Sequence, residues 1–92
     1  MPIDRRELER TLLALGFVVD EREHERFRLL VDGRRVARTQ VSRGSKYRTM
    51  DESILADIAR EIHITRAFLY SLINGEKTRE DYLDELRRQG LI

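Results

Sequence analysis

The chain has 92 residues, a formal net charge of +1 and no cysteine. A chain of this length builds one small hydrophobic core, and the lack of cysteine excludes disulfide bridges and thiolate metal ligands. The apolar runs are too short for a membrane span and residues 1–10 lack a secretion signal, so we expect a soluble, cytoplasmic protein with no membrane partner.

The chain begins with a predicted helix. Asp4 is a residue type that caps helix starts, and Leu8, Leu12 and Leu15 follow at three- and four-residue spacing. This pattern predicts a helix over residues 5–15 with one apolar stripe.

Three strands are predicted next. The segment "FVVDERE" reads as a short strand that runs into a polar turn, and "HERFRLLV" alternates between apolar and polar residues. Asp32-Gly33 is a strong signal for a two-residue hairpin turn, so "RRVARTQVS" is the return strand.

A two-residue turn also predicts the register of this hairpin. Val31 would face Arg34, Leu29 would face Val36, and Arg28 would face Ala37. One face of the sheet then gathers His24, Arg26, Arg28, Arg35, Ala37 and Thr39, and Arg38 falls on the core side unless a bulge intervenes.

The second half of the chain predicts three further helices. Asp51 or Ser53 could start the first of them, Thr65 caps the second, and Thr78 with Asp81 opens the third. The predicted fold is therefore α+β, with an α-β-β-β-α order, a three-stranded antiparallel sheet and two C-terminal helices. We expect residues 1–62 to form the main domain and residues 63–92 to be a helical extension on the same core.

Positive charge is concentrated in the middle of the chain. Residues 34–50 contain six basic residues and no acidic one, whereas the segments on either side are net negative. Such a block suits a phosphate backbone or an acidic protein partner. The alternative is a solvated strand edge and loop, since charged edges prevent association between sheets.

Four segments of the chain form a recognisable set, and they are "LLALGF", "HERF", "DGRRV" and "SILADIAREI". Together they cover roughly residues 4–62 and resemble the HicA family, small toxins of bacterial and archaeal toxin–antitoxin pairs. This resemblance implies a fold like the double-stranded-RNA-binding domain, cleavage of mRNA, and silencing by a HicB-like antitoxin partner. The oligomeric state is not predicted.

The resemblance also implies a site. His24 stands at the position of the family's histidine, and we expect it to act as a general acid or base in RNA cleavage, since histidine titrates near neutral pH. Phosphate would be bound by Arg26, Arg28, Arg35, Arg43, Lys46, Tyr47 and Arg48, with Tyr47 also able to stack on a base. Neither a metal ion nor another cofactor is expected.

Two alternatives remain open. Arg22 and Glu23 precede His24 where the family has Gly-Ser, so the chain could be a catalytically inactive interaction module in which His24 is a surface turn residue. Residues 55–74 also match the apolar spacing of a helix-turn-helix, with His63 at the position of its turn glycine. This second alternative is a DNA-binding regulator, which the net acidic surroundings disfavour.

Overall fold

A computed structural model describes residues 3–20, 25–41 and 49–92 of the chain. Within these ranges it contains five strands and four helices, and the predicted α+β class with a three-stranded antiparallel sheet is confirmed. In chain order the elements are β1 (Ile3–Asp4), α1 (Arg5–Ala14), β2 (Val18–Asp20), β3 (Glu25–Val31), β4 (Arg34–Val41), β5 (Thr49–Met50), α2 (Glu52–Glu61), α3 (Arg66–Ile73) and α4 (Arg79–Arg88).

The helices begin at the capping residues that the sequence predicted. The Asp51 carboxylate accepts a hydrogen bond from the Ile54 backbone N–H at 2.9 Å, which makes Asp51, not Ser53, the cap of α2. Thr78 and Asp81 form a reciprocal capping box at α4. Each cap provides an acceptor for a backbone N–H that the first helical turn leaves free.

The main sheet has the order β2-β3-β4, with β3 in the centre and both neighbours antiparallel to it. A second, two-stranded sheet pairs Ile3 with Met50 and Asp4 with Thr49. The sequence did not predict this second sheet, because two-residue strands show no alternation and their partners lie far apart in the chain.

The predicted register of the β3–β4 hairpin is wrong beyond its first two pairs. Val31 faces Arg34 and Leu30 faces Arg35, but Leu29 then pairs with Ala37, and Val36 has no partner in β3. Val36 is therefore the extra residue of a β-bulge. From Ala37 onward, β4 is shifted by one residue relative to a regular hairpin.

This shift reverses the faces predicted for part of β4. Ala37 and Thr39 are 5% and 4% exposed and lie on the core side, whereas Arg38 is exposed on the opposite side. The expectation that Ala37 and Thr39 share a face with Arg28 is thus wrong. The bulge resolves the conflict that placed Arg38 in the core.

The core lies between the inner face of the sheet and the helices. The sheet contributes Phe27, Leu29, Ala37 and Val41, and every helix contributes buried apolar side chains to the same cluster. None of the described helices has the length and apolar character needed to cross a membrane.

The C-terminal helices belong to this core. Tyr82 of α4 is fully buried, lies 6.2 Å from Phe17 between ring centroids, and donates its hydroxyl to the Ile62 carbonyl at 3.0 Å. The Gln89 amide donates to the neighbouring His63 carbonyl at 2.7 Å. Residues 63–92 are thereby tied to the end of α2 by both side-chain packing and hydrogen bonds.

Candidate nucleic-acid interface

Alternation along the three main strands directs one set of side chains away from the helices. We call this surface the outer face. Cross-strand pairing arranges its side chains in three rows that run across the strands. The first row is Asp20, Arg26 and Gln40, the second is Val18, Arg28 and Arg38, and the third is Leu30 and Arg35.

Three of the predicted phosphate-binding residues meet on the outer face. Arg26 and Arg28 occupy the central strand, and Arg35 lies beside Leu30 on β4. All three side chains are exposed. The remaining predicted site residues lie outside the described part of the chain, namely His24, Arg43, Lys46, Tyr47 and Arg48.

Arg38 is a fourth member of this group that the sequence did not predict. It is exposed and lies directly opposite Arg28 across the β3–β4 pair. The sequence placed it on the core side because a regular hairpin was assumed. An arginine at an expected core position was itself a signal that the register is interrupted.

The outer face is concave along its arginines. A depression of about 460 Å³ opens there, and its lining residues are Asp20, Arg26, Phe27, Arg28, Arg35, Arg38, Thr39, Gln40 and Glu61. Glu61 belongs to α2, and its carboxylate accepts a hydrogen bond from the Thr39 hydroxyl of β4 at 2.7 Å.

Ion pairing separates the outer-face arginines from most of those on the helices. Five of the eight arginines in the described helices pair with carboxylates, and four of these pairs lie within one helix: Arg5–Glu9 at 3.3 Å, Arg60–Asp57 at 2.9 Å, Arg87–Asp84 at 2.7 Å and Arg88–Glu85. Among the described residues, no carboxylate pairs with any of the four outer-face arginines. Within that part of the chain their guanidinium donors have no carboxylate partner, which suits them to an anionic ligand.

The charge of this face is strongly one-sided. Its described residues include four arginines and Asp20, a net charge of +3, and the Glu61 carboxylate in the lining of the depression lowers the net charge there to +2. Directly opposed side chains on antiparallel strands have Cβ atoms about 5 Å apart, so the Arg28–Arg38 pair is repulsive without an anion. An anion that bridges these two guanidinium groups would relieve the repulsion.

The surface of α3 offers less to a nucleic acid. Arg66, its one exposed cation, lies 3.7 Å from the Glu52 carboxylate, and Tyr70 is half-buried against the core. Asp51 stands beside Glu52 at the start of α2. The predicted DNA-reading surface thus holds an arginine that already has an acidic partner.

His63 lies in the turn between α2 and α3. Its Nε2 atom lies 3.0 Å from the Val36 carbonyl oxygen, and its backbone φ is 72°. The His63 ring therefore contacts β4 at its bulge, which gives this residue a structural role after the end of α2.

Within the described residues, no cluster of three or more histidine, aspartate or glutamate side chains could hold a metal ion. In the described part of the chain, the outer face is characterised by arginines with no carboxylate partner, by its depression and by the exposed apolar side chains of Val18 and Leu30. Comparison of the chain with protein-family models, with curated proteins and with solved structures finds no match.

Proposed function

We propose that this protein binds RNA through the outer face of its sheet, in the cytoplasm, by contacts with the phosphate backbone. The observation that carries the proposal is the clustering of Arg26, Arg28, Arg35 and Arg38 on one face with no carboxylate partner among the described residues, while five of the eight helix arginines are paired. Guanidinium groups bind phosphate with two parallel hydrogen bonds, which makes arginine well suited to this role.

The shape of the face favours RNA over B-form DNA. The major groove of B-DNA admits a helix or a two-stranded ribbon, and three strands spaced about 4.8 Å apart are too broad to enter it. The minor groove of A-form RNA is wide and shallow and displays 2′-hydroxyls and base edges, and proteins bind it mainly through contacts with 2′-hydroxyls and phosphates. A broad, shallow cationic surface fits such a target.

RNA cleavage is the second part of the proposal. Transesterification needs an acid and a base near the 2′-hydroxyl and positive charge on the phosphate. His24 precedes Arg26 by two residues in the chain, so the candidate acid or base and the phosphate-binding arginines belong to neighbouring positions. The resemblance to HicA toxins supports this assignment and a HicB-like antitoxin as partner.

Binding is tested by fluorescence anisotropy with a labelled RNA hairpin and a DNA duplex of the same sequence, over a series of salt concentrations. Each phosphate-contacting arginine contributes about one unit to the slope of log K against log salt. Arg26→Gln, Arg28→Gln and Arg38→Gln combined should lower the RNA slope by roughly two to three units.

The matched control removes the same charge elsewhere. Arg60→Gln, Arg87→Gln and Arg88→Gln replace three exposed arginines that already pair with carboxylates. This variant should bind RNA nearly as the parent does. Equal losses in both triple variants, or RNA binding without salt dependence, would contradict the proposal.

Cleavage is tested separately. Induced expression should arrest growth and degrade mRNA, and His24→Ala should relieve both effects while leaving RNA affinity nearly intact. Arrest that persists in His24→Ala would remove this histidine as the catalyst. If the parent protein bound an acidic protein but no RNA, the catalytically inactive interaction module would be favoured.

A further inference from the structure

The turn between α2 and α3 holds a histidine where glycine is favoured. His63 has a φ of 72°, in the left-handed region that strains residues with a Cβ atom. The helix-turn-helix pattern of this segment also has glycine at the same position. The His63 imidazole makes a contact that a glycine at this position could not make.

That contact is with the bulge of β4. A carbonyl oxygen can only accept, so the His63 Nε2–H donates to the Val36 oxygen across 3.0 Å. Val36 is the one residue of β4 without a partner in β3. The imidazole thus supplies a donor at the point where the ladder between the strands is interrupted.

The bulge decides which way Arg38 points. Regular pairing from the Asp32-Gly33 turn would set Arg38 opposite Phe27 on the core side, because a shift of one residue exchanges the two faces of a strand. With Val36 as an extra residue, Arg38 instead pairs with Arg28 on the outer face.

The last turn of α2 contacts the shifted register at a second point. The Thr39 hydroxyl donates to the Glu61 carboxylate at 2.7 Å, and Thr39 is buried only in the bulged register. His63 and Glu61 therefore contact β4 on both sides of Arg38, at Val36 and Thr39. Both contacts at the end of α2 therefore stabilise the bulged register of β4.

We infer that His63 is a positioning residue of the RNA-binding face: its imidazole holds the Val36 bulge, and the bulge sets Arg38 beside Arg28. The affinity consequence rests on the proposed RNA-binding function. The consequence for strand register does not, since it concerns the protein alone.

The register is tested by NMR on the free protein. His63→Gly removes the imidazole and relieves the backbone at φ 72°, so it separates the side-chain contact from turn strain. We expect weaker cross-strand contacts between Arg28 and Arg38, and amide hydrogen exchange at Ala37 and Arg38 faster by roughly tenfold. Unchanged contacts and exchange in His63→Gly would overturn the inference.

The affinity test uses the labelled RNA hairpin. Arg38→Gln and His63→Gly should each lower the salt slope by about one unit, and the double variant should fall no further. His63→Gln, whose amide can still donate to Val36, should retain the parent slope. Tyr82→Phe removes a hydrogen bond to the adjacent Ile62 carbonyl without touching β4, and should also retain it.

Deletion of Val36 provides the decisive background. It removes the extra residue while keeping Arg38 opposite Arg28, so the bulge no longer needs an anchor. In this background His63→Gly should leave the salt slope unchanged. Two results would overturn the positioning role. One is a lower salt slope when His63→Gly is added to the Val36 deletion, and the other is a parent-like slope for His63→Gly alone when Arg38→Gln lowers the slope. If neither Arg38→Gln nor the outer-face triple variant changes the slope, the proposed RNA binding is overturned instead.

Discussion

Arg28 of β3 and Arg38 of β4 lie directly opposite each other on the outer face, and no carboxylate among the described residues pairs with either. Like charges in this arrangement destabilise a sheet. The pair therefore lowers the stability of the free protein, and an anionic ligand bound between the two guanidinium groups would restore that stability.

The first prediction follows from this repulsion. Arg38→Gln should raise the free energy of unfolding by about 0.5 kcal/mol, because it removes one of two opposed charges and keeps a long polar side chain. The same substitution should weaken RNA binding. Urea unfolding and anisotropy on the same preparation check the two effects.

The matched comparison is Arg87→Gln, which removes an arginine already paired with Asp84 at 2.7 Å. It should leave stability unchanged or slightly lower it. If Arg38→Gln destabilised the protein as much as or more than Arg87→Gln, the Arg28–Arg38 pair would not be a repulsive one.

Local signals predicted the helices and the hairpin turn, because each depends on residues close in the chain. Thr78 with Asp81 and the Asp32-Gly33 turn are where the sequence placed them. These features need only one turn of backbone to form, so their residue types are informative by themselves.

The bulge could not be placed in the same way. Its anchor, His63, is 27 residues away from Val36, and no pattern within β4 identifies which residue is extra. The sequence therefore predicted Arg26, Arg28 and Arg35 on one face but placed Arg38 opposite them. What was missed depends on a tertiary contact between a helix end and a strand.

The second prediction concerns Tyr82, whose buried hydroxyl joins α4 to the Ile62 carbonyl. Tyr82→Phe keeps the ring in the core and removes only this bond, so unfolding free energy should fall by about 1 kcal/mol. Tyr82→Ala should cost about 3–5 kcal/mol because it leaves a cavity as well. Equal losses in the two variants, measured by urea unfolding, would contradict this division.

A third prediction follows from the titration of the same residue. Burial raises the pKa of the Tyr82 phenol above its ordinary value of 10.0. The unfolded chain then releases this proton at lower pH than the folded protein, so stability should fall as pH rises above about 10, by up to about 1.4 kcal/mol per pH unit. In Tyr82→Phe, the unfolding free energy should fall less above pH 10 than in the parent. If the two proteins lost stability equally over this pH range, the prediction would be contradicted.

The fourth prediction concerns acid. The backbone hydrogen bond from Ile54 and the Ser53 hydroxyl lower the pKa of Asp51 below its ordinary value of 3.8. A lowered pKa in the folded state contributes stability that is present above pH 3.8 and is lost as pH falls through the folded value. Asp51→Asn keeps an oxygen acceptor for the cap and does not titrate, so its melting temperature should change less between pH 5 and pH 2 than the parent's.

The last prediction separates the sheet surface from the helix-turn-helix surface. Arg66 of α3 lies 3.7 Å from the Glu52 carboxylate, so its charge is already partly balanced. Arg66→Gln should leave the salt slope of RNA binding unchanged, whereas Arg28→Gln should lower it by about one unit. Glu52→Gln should free the Arg66 guanidinium from its acidic partner. If this variant bound a DNA duplex more strongly than the parent, and Glu52→Gln combined with Arg66→Gln lost that binding, α3 would be a DNA-reading surface. We expect instead that binding of the RNA hairpin depends on Arg28 and is unaffected by substitution of Glu52 or Arg66, which assigns recognition to the outer face.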